Sequence, residues 1–145
     1  MKKALIEAQK AYQENEVPIG AIIVYNDEII AAAHNEREKR NSALGHAEII
    51  AIEQANKHLN SWRLDSCTMY VTIEPCPMCA GAIIQSRIQN VIYGAIDMKA
   101  GSHQSVVTLF DKSFNHKVNI LGGIMEQETS KILTDFFKEL REQKN

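Results

Sequence analysis

The run Thr68-Met69-Tyr70-Val71-Thr72-Ile73 leads almost directly into Pro75-Cys76-Pro77-Met78-Cys79, and no other stretch restricts the fold as much. Its β-branched and aromatic residues have strand composition. Pro75 and Pro77 then bracket Cys76, and Pro77 suits the first turn of a helix that continues from Cys79 to Ser86. A strand that turns straight into a helix sets Cys76 and Cys79 three residues apart on one helical turn, projecting to nearly the same side. His46-Ala47-Glu48 marks a second helix start. That helix is expected to run to about His58, with Ile49, Ile52 and Ala55 as its buried stripe.

The remaining pattern alternates helix and strand. Residues 2–14 predict an amphipathic helix with Leu5, Ala8, Ala11 and Tyr12 on one face, broken at Val17-Pro18-Ile19-Gly20. Ala21 to Tyr25 and Glu28 to Ala33 flank Asn26-Asp27 as a β-hairpin. His34 to Leu44 is polar and reads as a loop. A strand follows at residues 90–94, then an irregular stretch over 97–116 with one short helix, a short strand at 117–121, and a C-terminal helix over 126–142. Such alternation implies an α/β layered domain with helices on both faces of a sheet.

At 145 residues the chain reads as one domain, spanning 1–145, with enough length for a core without disulfide staples. An apolar fraction of 45% and a charged fraction of 23% fit a globular chain, and no apolar run reaches the roughly 18 residues needed to cross a bilayer. Glu7 comes too early for a signal peptide, so a cytoplasmic location is expected and no membrane partner. Three cysteines, an odd number, argue against a disulfide framework. A net charge of −2 shows none of the basic excess of a dedicated nucleic-acid binder.

A Cys-x-x-C pair in a reducing compartment means metal or redox chemistry. A thioredoxin-like reading leaves His46 and Glu48 without roles. A structural zinc site would be closed by a fourth protein ligand, and no fourth cysteine sits nearby. A catalytic zinc takes three protein ligands and keeps one position open. Cys76 and Cys79, favoured as thiolates by the helix N-terminus, and His46 supply those three. Glu48, two residues from His46, would lie beside the metal without ligating it and act as the proton shuttle. Cys67 reads as a buried apolar side chain, and His58, His103 and His116 as ordinary surface or hydrogen-bonded residues.

The pairing of H-x-E with P-C-x-x-C is the signature of zinc nucleobase deaminases. Further blocks narrow the resemblance: Glu16-Val17-Pro18-Ile19-Gly20-Ala21, His34-Asn35-Glu36-Arg37-Glu38, Trp62-Arg63-Leu64, Lys99-Ala100-Gly101, Phe114-Asn115-His116 and Phe136-Phe137. Together they cover nearly the whole chain, which resembles the bacterial tRNA-specific adenosine deaminases of the cytidine deaminase-like superfamily. The resemblance implies a three-layer α/β/α cytidine deaminase-like fold around a five-stranded mixed sheet, one Zn2+ per subunit, and a homodimer. It implies conversion of adenosine to inosine at the wobble position of a tRNA anticodon stem-loop. Asn35 and the backbone N–H of Ala47 would hold the flipped base, and Glu74 would support the metal shell. Val17, Pro18, Ile19 and Phe137 would wall the pocket or touch nucleotides. Asp97 and Lys99 would face the RNA, with Arg141 near a phosphate.

The chain also departs from the family pattern. Ser42-Ala43-Leu44-Gly45 stands where relatives have Asp-Pro-Thr-Ala, Asp97-Met98-Lys99 replaces an Asp-Pro-x-Lys run, and the C-terminal helix has fewer arginines. Fewer phosphate contacts would flatten the salt dependence of RNA binding. A small-molecule deaminase of guanine, cytosine or a related nucleobase therefore stands as the alternative. A non-catalytic zinc-binding RNA module is a third reading, against which the presence of Glu48 speaks.

Overall fold

The computed structural model describes residues 1–144. One five-stranded sheet has the order β2-β1-β3-β4-β5, with β1 at Gly20–Tyr25, β2 at Glu28–His34, β3 at Thr68–Ile73, β4 at Asn90–Ala95 and β5 at Asn119–Leu121. β1 runs antiparallel to both β2 and β3, while β3, β4 and β5 are parallel, so the sheet is mixed as expected. Asn26 and Asp27, both at positive φ, close the β1–β2 hairpin. Side chains small enough to tolerate that backbone make this two-residue turn possible.

Among the described residues, α1 at Lys2–Gln13, α3 at Ala47–Leu59, α4 at Pro77–Gln85 and α5 at Glu126–Gln143 cover the two faces, and α2 at Arg37–Arg40 is a single turn without a buried residue. Alternation within each strand divides the core. Ala21, Ile23, Met69, Val71, Val91 and Tyr93 pack with α3 and α4 residues such as Ala51, Ala80 and Ile83. The opposite face of the sheet carries α1 and α5, which meet through an edge contact of Tyr12 with Phe136. Gly94 lets α5 come close, because a Cβ there would stand 2.4 Å from Thr129 Oγ1. The three layers match the sequence expectation.

Several local expectations are corrected. The buried face of α1 is Ala4, Glu7, Ala8 and Ala11, with Leu5 and Tyr12 only half-buried. Three alanines allow the close approach, and Glu7 is tolerated because Lys10 Nζ and His34 Nδ1 lie 2.6 and 3.3 Å from its carboxylate. On α3 the fully covered residues are Ala47, Glu48, Ile50, Ala51, Ile52 and Ala55, while Ile49 is half-buried. The polar segment after β2 contains the one-turn helix α2, ended by Asn41 in the left-handed region. Ala80, Ile83 and Ile84 of α4 are core residues, and Cys67 is fully buried as expected, its thiol pushed up to about 11 by that burial.

Both chemistry-bearing helices, α3 and α4, start at one end of the sheet. The parallel strand β3 finishes there, β1 begins there, and β2 ends there beside Gly20. The crevice at the carboxyl ends of parallel strands is where α/β folds place their ligands.

Candidate active site

His46 occupies the N-cap position of α3 and Cys76 that of α4, both with extended backbone. Pro77 takes the first helical turn, where a missing N–H costs nothing. The chain therefore leaves a loop and a strand end at the same place, and both helix N-termini converge there. His46 Nδ1 lies 3.6 Å from Cys76 Sγ and 3.4 Å from Cys79 Sγ. Zinc–nitrogen and zinc–sulfur bonds at a tetrahedral angle would set those atoms about 3.6 Å apart. The donor atoms all lie within 4.8 Å of one another, so the set fits one metal ion with a position to spare.

The three donors and Glu48 shift one another's protonation. Hydrogen bonds from Cys79, and then from His46, overcome burial and pull the Cys76 thiol down to about 4. Cys79 is driven the other way, chiefly by the neighbouring Cys76 sulfur and by burial, and keeps its proton. His46 is raised, first through its hydrogen bond with Cys76. Glu48, only 3% exposed, is lifted by burial to about 7. A carboxyl near neutrality can both accept and release a proton.

A cleft of about 210 Å³ opens over this cluster, lined by Val17, Ile19, Asn35, Arg37, Ala47, Ile73, Glu74, Asp97 and Ala100 as well as His46, Glu48 and Cys76. That is smaller than the roughly 300–1,000 Å³ usual for drug-sized ligands, and it suits a single base. Asn35 donates from Nδ2 to the Val17 carbonyl at 3.2 Å and accepts the Arg37 N–H at Oδ1, 3.1 Å away. An amide side chain offers two donors and two lone pairs, so one of each remains for a ligand. Ala47 is the first helical residue of α3, where backbone N–H groups have no intrahelical partner.

The structure brings His46, Ala47, Glu48, Cys76, Cys79, Asn35, Val17, Glu74 and Asp97 to this end of the sheet, all but Cys79 on the cleft wall. Pro18, Lys99, Phe137 and Arg141 are not among the residues that line the cleft. Pro18 is buried, and Lys99 is exposed on the loop beyond Asp97. Phe137 and Arg141 are exposed on α5. Glu74 lines the cleft, but its carboxylate hydrogen bonds go to the following loop: it accepts the N–H groups of Asp97, His103, Gln104 and Ser105 and the Ser105 hydroxyl. Sequence reasoning passed over Arg37, Ile73 and Ala100 as wall residues; the first sits in the motif that also holds Asn35, and the other two carry no chemical signal.

The remaining histidines stay outside the cluster. His103 Nδ1 lies 2.7 Å from the Tyr93 hydroxyl, and His116 Nε2 lies 2.7 Å from the Ile88 carbonyl. A second grouping of Glu14, His34 and Glu36 is crossed by Lys39 and Arg40, which pair with its carboxylates.

The family described as MafB19-like deaminase matches residues 1–141. A tRNA-specific adenosine deaminase of Bacillus subtilis (strain 168) is 48% identical over 145 residues, covering 99% of this chain and 90% of that one. The chain belongs to the tRNA-specific adenosine deaminase family. A solved structure from work on A-to-I editing by tRNA:A34 deaminases superposes on this family member with a TM-score of 0.89 and 40% identity, over 92% of this chain and 97% of the other. Guanine deaminase from Nitrosomonas europaea shares the fold, with a TM-score of 0.80 at 18% identity over 92% of this chain and 80% of that one. A guanine deaminase thus shares this fold, and the fold alone does not choose a nucleobase.

Proposed function

We propose that the chain is a zinc-dependent hydrolytic deaminase that converts adenosine to inosine at the wobble position of a tRNA anticodon loop, releasing ammonia. The observation that carries the reading is the convergence of His46, Cys76 and Cys79 at metal-bonding separations beside the buried carboxyl of Glu48. Family membership selects the substrate.

His46 Nδ1 and the sulfurs of Cys76 and Cys79 would hold one zinc ion per subunit. Zinc bound there would supply a Lewis acid and lower the pKa of water toward neutrality. Glu48 takes one proton from the attacking water at a carboxylate oxygen and delivers it to a ring nitrogen as the new C–O bond forms; it then takes the second proton, from the added hydroxyl, and gives it to the amine, which leaves as ammonia when the C–N bond breaks and the carbonyl forms. Such a shuttle is worth roughly 10²–10⁴-fold. Asn35 and the Ala47 N–H orient the base, while Val17 and Ile19 wall its faces. A base already in a loop is splayed out at small unstacking cost.

Beyond the cleft, Lys99, Phe137 and Arg141 are exposed and available to the rest of the stem-loop, and Pro18 backs the wall. Glu74 and Asp97 shape its rim. The reading includes a homodimer, a cytoplasmic location and a single deaminase domain over 1–145; no helix among the described residues is long and apolar enough to cross a membrane.

The experiment is incubation of zinc-loaded protein with an anticodon stem-loop bearing A34, followed by mass spectrometry of the digested RNA, beside a panel of free bases and nucleosides. Inosine at position 34 is the expected product. Turnover of free guanine or cytosine with no change in the RNA would replace this reading with that of a small-molecule deaminase.

A further inference from the structure

We infer that Glu74 is a positioning residue for the substrate: its buried carboxylate is the template on which the cleft-rim loop from Asp97 to Ser105 is folded, and it sets substrate binding through that loop rather than through the metal. This inference rests on the deaminase reading above.

Glu74 follows directly on β3 and is only 1% exposed. Among the described residues no lysine, arginine or histidine forms an ion pair with it. Its negative charge is instead met by backbone. Oε1 accepts the Asp97 N–H at 3.0 Å, and Oε2 accepts the N–H groups of His103, Gln104 and Ser105 at 2.9, 2.9 and 3.2 Å. The Ser105 hydroxyl donates to Oε1. One carboxylate thus fastens both ends of a nine-residue loop (97–105) that has no regular secondary structure of its own. Charge-assisted bonds of this kind are about twice as strong as neutral ones, and a buried acceptor-only group has no substitute among uncharged side chains.

Gly101 gives the second, independent observation. A Cβ at that position would stand 2.4 Å from the Glu74 carboxyl carbon and 2.4 Å from each of its oxygens. The loop wraps so tightly that only hydrogen fits between its midpoint and the carboxylate. The Gly101 N–H bonds to the Asp97 carbonyl at 2.8 Å, and Ser102 ties the loop to the Pro75 carbonyl through both its N–H, at 3.0 Å, and its hydroxyl, at 2.6 Å. Pro75 is the residue just before Cys76. The loop is therefore built on the two residues that join β3 to the metal-binding turn, and it presents Asp97 and Ala100 to the cleft wall. A substrate far larger than the cleft must lie against that rim, so an unfastened loop costs binding before it costs chemistry.

The test uses the zinc-loaded full chain and three variants, E74Q, G101A and the milder S105A. The amide of E74Q turns donors toward N–H donors; G101A displaces the carboxylate; S105A removes one hydroxyl. Hydrogen exchange should show at least tenfold lost protection at residues 103–105 in E74Q and G101A. Zinc should remain at one per chain. KM for the substrate that the wild type turns over should rise at least tenfold in E74Q and G101A and two- to threefold in S105A, with kcat falling less than threefold. E74Q and G101A act through one contact, so their effects should not add in the double variant.

Unchanged exchange protection in E74Q overturns the inference. So does lost zinc, or a fall in kcat at constant KM, either of which would place Glu74 in support of the metal. The exchange measurement needs no substrate and decides the clamp separately from the choice between RNA and a free base. If E74Q does not fold, the split between KM and kcat in G101A and S105A decides it.

Discussion

His46 Nδ1 and Cys79 Sγ stand 3.4 Å apart although 33 residues separate them in the chain. The contact joins the first turns of α3 and α4, two helices that otherwise meet through a few core residues. A metal held there ties the two helix starts to each other and to β3.

Replacing either cysteine should remove the metal and weaken the fold. C79A is expected to fall below 0.1 zinc per chain by elemental analysis, and its melting temperature should match that of wild type stripped with a chelator. Metal binding free energy appears as folding free energy when the ligands come from separate segments. A C79A chain that kept stoichiometric zinc would count against the ligand set.

Zinc affinity should fall as the pH is lowered. In the metal-free chain the Cys76 sulfur, burial and Glu48 all keep the Cys79 proton in place, so a metal must displace it. Release of the Cys79 proton alone makes the apparent affinity about tenfold weaker per pH unit downward, and the raised His46 steepens the fall wherever its imidazole is still charged. Competition titrations with a chromophoric chelator at pH 6, 7 and 8 measure the slope, and calorimetry in buffers of different ionisation enthalpy counts the protons. A flat profile would show that both sulfurs are already thiolates and the His46 imidazole already neutral.

Glu48→Gln should lose at least 10²-fold in kcat while holding zinc. The same variant tests the burial of the carboxyl. Glu48 stands at about 7 in the folded metal-free chain, above its ordinary value of about 4.3. The native state then binds more protons than the unfolded state between those values, so stability falls as pH rises through the window. Chelator-treated E48Q lacks this loss and should melt several degrees above wild type at pH 8, with a smaller gap at pH 5. Equal melting temperatures at both values would show a normally ionising carboxyl.

Glu16→Ala should loosen the rim opposite the Asp97 loop. Glu16 is 2% exposed and accepts the N–H groups of Glu38 and Lys39 at 3.0 and 2.7 Å, holding α2 and with it Arg37. Leaving those donors without their acceptor is expected to cost about 1–3 kcal/mol. Urea unfolding of the zinc-loaded protein reads the loss, and a change below 0.5 kcal/mol would mean that water replaces the carboxylate at no cost.

Glu74 shows where reading the chain stopped. Its place beside Pro75-Cys76 points towards the metal turn, while the five hydrogen bonds of its carboxylate, to a loop 23 to 31 residues later, have no sign in the sequence. On α1 the sequence marked Ala8 and Ala11 but not their buried companions. Leu5 and Tyr12 are the larger apolar residues, but a helix laid close on β1 buries alanines, and Glu7 goes in with them because Lys10 and His34 pair with its carboxylate. α2 carries no periodic apolar signal, since its backbone is stabilised by Glu16 from another segment.

What the amino-acid order determined by itself was the chemistry and the layering. Metal ligands must be particular residue types, Pro77 marks a helix start wherever it falls, and strand and helix periods differ enough to separate the elements. What only the folded chain decided was partnership: which carboxylate meets cations, which meets backbone, and which stays free for a proton. Those assignments depend on contacts between segments far apart in sequence, where burial and hydrogen bonding act through space and leave no local pattern to read.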